Sequence, residues 1–209
     1  MAMQTRIIGQ SVPRLESKDK VTGRAEYIHT MQLPSMLHAK VFRSDIPHGR
    51  IKSIDVSDAA AISGVFAVYT GEDIKTVIAE PYYGPAFHDQ PILALDKVRY
   101  VGEPVAVVLA EDPHTAELAS QLIYAEYEEL PAVYDEIDAI DSVAIVHDEL
   151  KPAGTFPDLK HLAGRRDTNI ALDYHLRRGD TENVFANVAH VFEHTFRTQQ
   201  TMDTPLEPM

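Results

Sequence analysis

Apolar and polar residues alternate along several stretches of the chain, the periodicity of half-buried strands. Residues 37–43 alternate and are rich in β-formers, so they predict a strand. Residues 50–56 predict a second strand, with a loop at 46–49 between them, and residues 65–69 a third. Residues 105–110 read Val-Ala-Val-Val-Leu-Ala, apolar on both faces, which predicts a central strand. A strand at 97–101 leads into it through the turn at Gly102, Glu103 and Pro104, and one at 124–130 follows with its acids on one face. Residues 25–28 predict a short strand after a turn at 22–24, and 190–198 predict a last one.

Helices fill the gaps. Ser57 is placed to cap a short helix over 58–62 that ends at Gly64. Thr70 with Asp73 forms a capping-box pattern. Asp112 followed by Pro113 opens a helix with Ala116, Ala119, Leu122 and Ile123 as its buried stripe. Asp180 caps a helix over 181–189. Residues 79–90 read as a loop. Residues 135–177 lack a period, contain Pro152, Gly154, Pro157 and Gly164, and read as linker and excursion rather than core.

Charge narrows the function classes. The 209 residues carry a formal net charge of -13, which repels phosphate backbones and argues against nucleic acid as a partner. There is no cysteine, so disulfides and thiolate metal or Fe–S ligation are excluded within this chain. No apolar run is long enough for a membrane span, and the N-terminal residues lack a signal-peptide core, which fits a cytoplasmic protein.

Candidate chemistry is sparse. His190 and His194 fit the pattern H-x-x-E-H, an inverted zinc-peptidase motif. That chemistry needs a helix, because on a strand the two imidazoles lie ~13 Å apart. Val191, Phe192 and Phe196 favour the strand, so the metal reading is set aside. Arg178, Gly179 and Asp180 form an adhesion-type tripeptide whose plainer reading is a turn and a helix cap. The acids Glu126, Glu128, Glu129, Asp135, Glu136 and Asp138 read as a solvated face, and His38 as a hydrogen-bonded strand histidine. No phosphate loop and no nucleophile motif is present.

The motifs, in order, resemble a known family. They are P-R at 13–14, K-V-T-G-R-A-E-Y at 20–27, M-L-H-A at 36–39, Arg43 with Ser44, P-H-G-R-I at 47–51 and Ile54 with Asp55. Gly64 with Val65, Asp73 with Ile74, K-V-R-Y-V-G-E-P-V-A-V at 97–107, Y-E-E-L-P-A at 127–132, R-G-D at 178–180 and P-L-E-P at 205–208 complete the set. This order resembles the N-terminal part of the large, molybdenum-cofactor-binding subunit of the xanthine dehydrogenase, aldehyde oxidase and carbon monoxide dehydrogenase family. Two positions depart from the family's usual pattern: Thr30 stands where Asp is usual, and Ser35 where Gly is usual.

The resemblance implies an α+β fold, an α/β-hammerhead mixed sheet with flanking helices, followed by the start of a molybdopterin-binding domain. The expected layout is an arm over 1–19, the hammerhead over 20–135, a linker over 136–177 and a truncated cofactor-domain start over 178–209. The family chemistry is hydroxylation of an aldehyde or N-heterocycle with water-derived oxygen. Electrons leave through Fe–S and FAD groups on partner subunits or domains. The molybdopterin-molybdenum cofactor would sit on a missing C-terminal region, so no catalytic, cofactor-binding or metal residue is carried over and the fragment is expected to be inactive and cofactor-free. Partners implied are that missing region, the Fe–S and FAD subunits and, optionally, a second copy of the chain. The competing expectation is a stand-alone, non-catalytic hammerhead-type scaffold or interaction module.

Overall fold

The computed structural model describes residues 8–199 and 201. In chain order the helices are α1 (Ser17–Val21), α2 (Ser57–Ala60), α3 (Gly71–Val77), α4 (Pro113–Ser120) and α5 (Thr181–Asn187). The strands are β1 (His38–Arg43), β2 (Gly49–Asp55), β3 (Val65–Thr70), β4 (Tyr82–Tyr83) and β5 (Gln90–Pro91). After them come β6 (Lys97–Val98), β7 (Pro104–Ala110) and β8 (Tyr124–Glu129). Residues 35–179 form one unit; residues 1–34 with 180–209 form another.

In the unit 35–179, β7 lies between β1 and β3, and β2 lies between β6 and β8. The α+β hammerhead class expected from the chain is observed. Every pairing among the named strands is antiparallel. Alternation along β7 serves two cores at once. Ala106 and Val108 join Ala59, Ala119 and Ile123, all buried, with α4 laid across β1, β7 and β3. Val105 points the other way, onto Ala94 and Val98, with Ile51 and Tyr127 from the second sheet. Phe42 and Ile54 touch both clusters and so weld the two sheets together.

The caps follow their expected chemistry. The Asp112 carboxylate accepts from the amides of His114 and Thr115 at 2.9 and 3.0 Å, with Pro113 at the first helical position. Asp73 accepts from the Thr70 amide at 2.7 Å and its hydroxyl at 2.8 Å, completing the box that opens α3. Gly71 lets that helix approach the loop between β5 and β6, since a Cβ there would run into the Ala94 carbonyl.

Several local expectations are corrected. Ser57 is not the cap of α2 but its first residue; the cap position is Val56, and Asp55 accepts from the Ser57 amide and hydroxyl at 2.9 and 2.7 Å. Leu122 is 41% exposed because α4 stops at Ser120. The strand expected at 97–101 ends at Val98, where the Arg99 amide donates to the Glu103 carboxylate and Gly102, at φ 94°, turns the chain. The loop at 79–90 contains β4, paired with β5. Residues 135–177 carry two buried leucines, Leu150 and Leu162, and a bridge from Pro152 to Phe87.

In the other unit, residues 25–28 do not form a strand. Ile28–Thr30 is a 3-10 turn, closed by the Thr30 hydroxyl, which donates to the Tyr27 carbonyl at 2.9 Å and accepts from its amide at 3.2 Å. Thr30 thus serves as both donor and acceptor in closing this turn. Residues 190–198 form no strand among the described residues. Asp180 caps α5 by accepting from the Asn183 amide at 3.1 Å, and the helix ends at Asn187. The P-L-E-P motif at 205–208 lies outside the described residues.

Ser35 sits at φ 59°, in the left-handed region that favours glycine. The departure from the family's Gly is therefore a local strain. Ser35→Gly is expected to raise stability by roughly 0.5 kcal/mol, read as a higher denaturant midpoint at unchanged m-value. A second expectation separates the faces of β7. Val108 is fully buried, whereas Val107 is only half-buried. Val108→Asp should cost roughly 4 kcal/mol and Val107→Asp clearly less. Equal losses in urea melts would contradict this placement of the core.

Candidate functional site

The turn that feeds β7 is built from charge. Glu103 is 2% exposed, a rare degree of burial for a carboxylate. One oxygen accepts from the Arg99 amide; the other has no hydrogen bond and faces the Arg99 guanidinium at 3.5 Å. Burial pushes the Glu103 carboxyl up, and Arg99 only partly opposes it. Arg99 also reaches Asp96 at 3.4 Å and the Lys97 carbonyl at 3.0 Å.

Around this turn the resemblance motifs interlock. The Ser44 amide donates to the Glu103 carbonyl at 2.9 Å, and the Gly102 amide donates to the Ser44 carbonyl at 2.7 Å. Arg43 donates through Nη1 to the Gly102 carbonyl at 2.8 Å. At the other end, buried His48 donates from Nδ1 to the Pro131 carbonyl at 2.7 Å, and the Leu130 amide donates to the His48 carbonyl at 3.0 Å. The motif pieces are pairs of clamps.

Next to Arg99 lies a cleft of about 270 Å³ whose lining includes Tyr82, His88, Arg99, His147, Asp148 and Arg166. Lys97 is 4% exposed beneath it, its ammonium donating to Asp148 at 3.0 Å and to the Ile145 carbonyl at 3.5 Å. Burial lowers the His147 pKa, and the charges of Arg99 and Lys97 outweigh Asp89 and Asp148 in the same direction. Burial works to raise the Asp148 pKa, yet Lys97, Arg99 and Arg50 hold it below the usual carboxylate value. Arg99, Lys97, Glu103, His48 and His147 were not singled out from the sequence. Charged residues inside an otherwise apolar motif, as in 97–107, were the signal available.

The sequence candidates do not converge. His190 and His194 are exposed and lie after α5, in neither helix nor strand, so the helix that a zinc motif needs is absent there. No group of three potential metal ligands occurs among the described residues. Glu126 pairs with Lys52 at 3.3 Å and Glu128 with Arg50 at 4.0 Å, an exposed ladder across β2 and β8. Asp135 accepts from the amides of Ile137 and Asp138. Gly179 turns the chain at φ 76° ahead of the Asp180 cap, the plain reading of that tripeptide.

What these residues build is a clamped hammerhead, an architectural domain whose buried charges are tied to its own turns. Residues 22–131 match the family model for the aldehyde oxidase and xanthine dehydrogenase a/b hammerhead domain, and the chain belongs to that family. It is 34% identical over 96% of its length to the 6-hydroxypseudooxynicotine dehydrogenase complex subunit gamma of Paenarthrobacter nicotinovorans, of which it covers 24%. It is 34% identical over its whole length to the nicotinate dehydrogenase large molybdopterin subunit of Eubacterium barkeri, of which it covers 44%. Among solved structures, quinoline 2-oxidoreductase from Pseudomonas putida 86 superposes with a TM-score of 0.64 at 41% identity, over 70% of this chain and 19% of that one. The chain thus spans less than half the length of these relatives.

The cleft does not suit a molybdopterin, whose phosphate is anionic. Its lining sets Arg99, Lys151 and Arg166 against Asp89, Asp96, Asp148 and Glu149, three positive charges against four negative with histidines neutral.

The raised Glu103 pKa gives a signed expectation. A carboxyl whose folded pKa lies above its unfolded one contributes most below the unfolded value, and that contribution is lost as pH rises through the folded value. Glu103→Gln keeps an acceptor for the Arg99 amide and removes the titration. Denaturant melts from about pH 4 to about pH 7 should show wild type losing ground to Glu103→Gln as pH rises. A shift in favour of wild type would mean that Arg99 outweighs burial.

Proposed function

We propose that this chain is the N-terminal scaffold portion of a molybdenum hydroxylase large subunit. The hammerhead over 20–135 supports the architecture, an arm over 1–19 and a linker over 136–177 flank it, and 178–209 begins the cofactor-binding region. The reaction of the whole subunit is oxidative hydroxylation of an N-heterocycle or aldehyde with oxygen from water. The relatives named for nicotinate and quinoline support the heterocycle. Molybdopterin is held by polypeptide outside these 209 residues, and electrons pass to Fe–S and FAD groups on partner subunits or domains. The residues present supply packing and partner contacts in a cytoplasmic complex.

The observation that carries this reading is the match over 22–131 joined to a fold whose buried polar residues, Ser44, His48, Lys97, Glu103 and Ser120, are all bonded within the chain. In the purified chain, elemental analysis should find molybdenum far below one per chain, and nicotinate should not be oxidised with a dye acceptor. Stoichiometric molybdenum would overturn the division of labour. A stand-alone scaffold is distinguished by co-expression with the downstream part of a large subunit: stable association supports the hydroxylase reading.

A further inference from the structure

The negative charge of this chain is not spread evenly. Residues 100–150 hold thirteen aspartates and glutamates and no lysine or arginine, which accounts for the whole net charge of -13. The remaining residues balance, with nineteen acids and nineteen bases. Within this acidic run, residues 134–143 read Tyr-Asp-Glu-Ile-Asp-Ala-Ile-Asp-Ser-Val, with a large apolar residue at every third position. Those four side chains face outward: Tyr134 is 83% exposed, Ile137 61%, Ile140 54% and Val143 98%. The small residues Ala139 and Ser142 are the half-buried ones.

Hydrogen bonds hold this segment in one shape. The Asp135 carboxylate accepts from the amides of Ile137 and Asp138 at 2.8 and 3.3 Å. The Ala139 amide donates to the Asp135 carbonyl at 3.0 Å, and the Ile140 amide to the Ile137 carbonyl at 3.2 Å. Asp138–Ile140 is a 3-10 turn, and three residues per turn set Ile137 and Ile140 on one side. Asn169 fastens the turn at two points, donating to the carbonyls of Ala139 and Ala144 at 3.1 and 2.9 Å. Between the apolar groups, Glu136, Asp138 and Asp141 stand exposed, with no ion pair among the described residues. One exposed isoleucine needs no explanation; four large apolar groups on a short, fastened turn form a pre-shaped ridge.

Charge narrows what can sit on it. An apolar ridge edged by uncompensated acids fits an apolar groove rimmed by lysine or arginine. A second copy placed ridge to ridge would bring the same acids to the contact, and anionic lipid or nucleic acid is repelled for the same reason. The chain spans less than half the length of its relatives, and the rest of a large subunit would meet the ridge at high effective concentration. We propose that residues 134–143 are a docking ridge for the downstream polypeptide of the large subunit, received there in an apolar groove with a basic rim. Ile137 and Ile140 are the anchors, and the acids set orientation. The proposal rests on the hydroxylase reading and adds to it the place and the chemistry of the contact.

The test co-expresses the full, tagged chain with the part of the Pseudomonas putida quinoline 2-oxidoreductase chain that lies beyond the matched region, and measures the polypeptide that co-purifies. Ile137→Ser combined with Ile140→Ser should lower that yield about tenfold or more. Asp138→Lys combined with Asp141→Lys should lower it too, and more strongly in ~0.05 M salt than in ~0.5 M salt. Val77→Ser removes another exposed apolar side chain, at the end of α3, and should leave the yield unchanged. Because the substituted side chains are exposed, the variants should keep the wild-type denaturant midpoint. Should one of them lose it, hydrogen exchange of the wild-type complex decides: residues 134–143 should gain protection on association. Association that ignores both ridge variants, that is lost equally in Val77→Ser, or that leaves 134–143 unprotected overturns the ridge and leaves the hydroxylase reading in place. No association in wild type overturns both. A purified chain that dimerises through Ile137 and Ile140 makes the occupant a second copy and overturns the choice of partner.

Discussion

The hammerhead depends on one strand having both edges paired while its two faces serve different cores. β7 is hydrogen-bonded to β1 on one side and β3 on the other. Ala106 and Val108 pack beneath α4, and Val105 packs toward the second sheet. Such a strand has no free edge and little exposed face, so its entry must be made with little help from water. That requirement explains the turn. Gly102 supplies the positive φ, Arg43 and Ser44 occupy the turn's backbone groups, and Glu103 takes the Arg99 amide that β6 has ceased to use.

A carboxylate at 2% exposure is a costly way to satisfy an amide. Its effect is specificity: continuing β6 past Val98 would require breaking the Arg99–Glu103 contact, so the register of β2 with β6 is fixed at Gly49 and Arg50. Arg99 then carries a second consequence. The guanidinium that offsets Glu103 also belongs to the electrostatic surroundings of His147. The same guanidinium lines the cleft that residues 147–149 also line.

Much of this was legible in the chain. β1 and β2 follow from alternation, β3 from its β-forming residues and β7 from an unbroken apolar run, and Asp112, Asp73 and Asp180 cap where their spacing says. The failures share a cause. Residues 25–28 and 190–198 have strand-forming composition, but a strand needs a partner, and composition does not report one. The bridge of Pro152 to Phe87 is a long-range contact between two Pro-containing stretches with no period. The interior charges were harder still, because Lys97, Arg99 and Glu103 look solvated until the fold folds them under. His147 lay in a segment read as linker, where an isolated histidine carries no local signal.

Several of the motifs that carry the family resemblance touch each other. Arg43 and Ser44 meet Gly102 and Glu103; His48 meets Leu130 and Pro131. These contacts are internal and mostly through backbone, so they constrain the path of the chain and say little about what a whole subunit would bind. A glycine or carboxylate in such a motif answers to turn geometry and burial before it answers to chemistry. The stretch after the hammerhead obeys a different rule. It is held by an ion pair, a cation over a ring and a few long-range amides. Such a segment, residues 144–170, is the part that local opening should release before the clamped sheets beneath it.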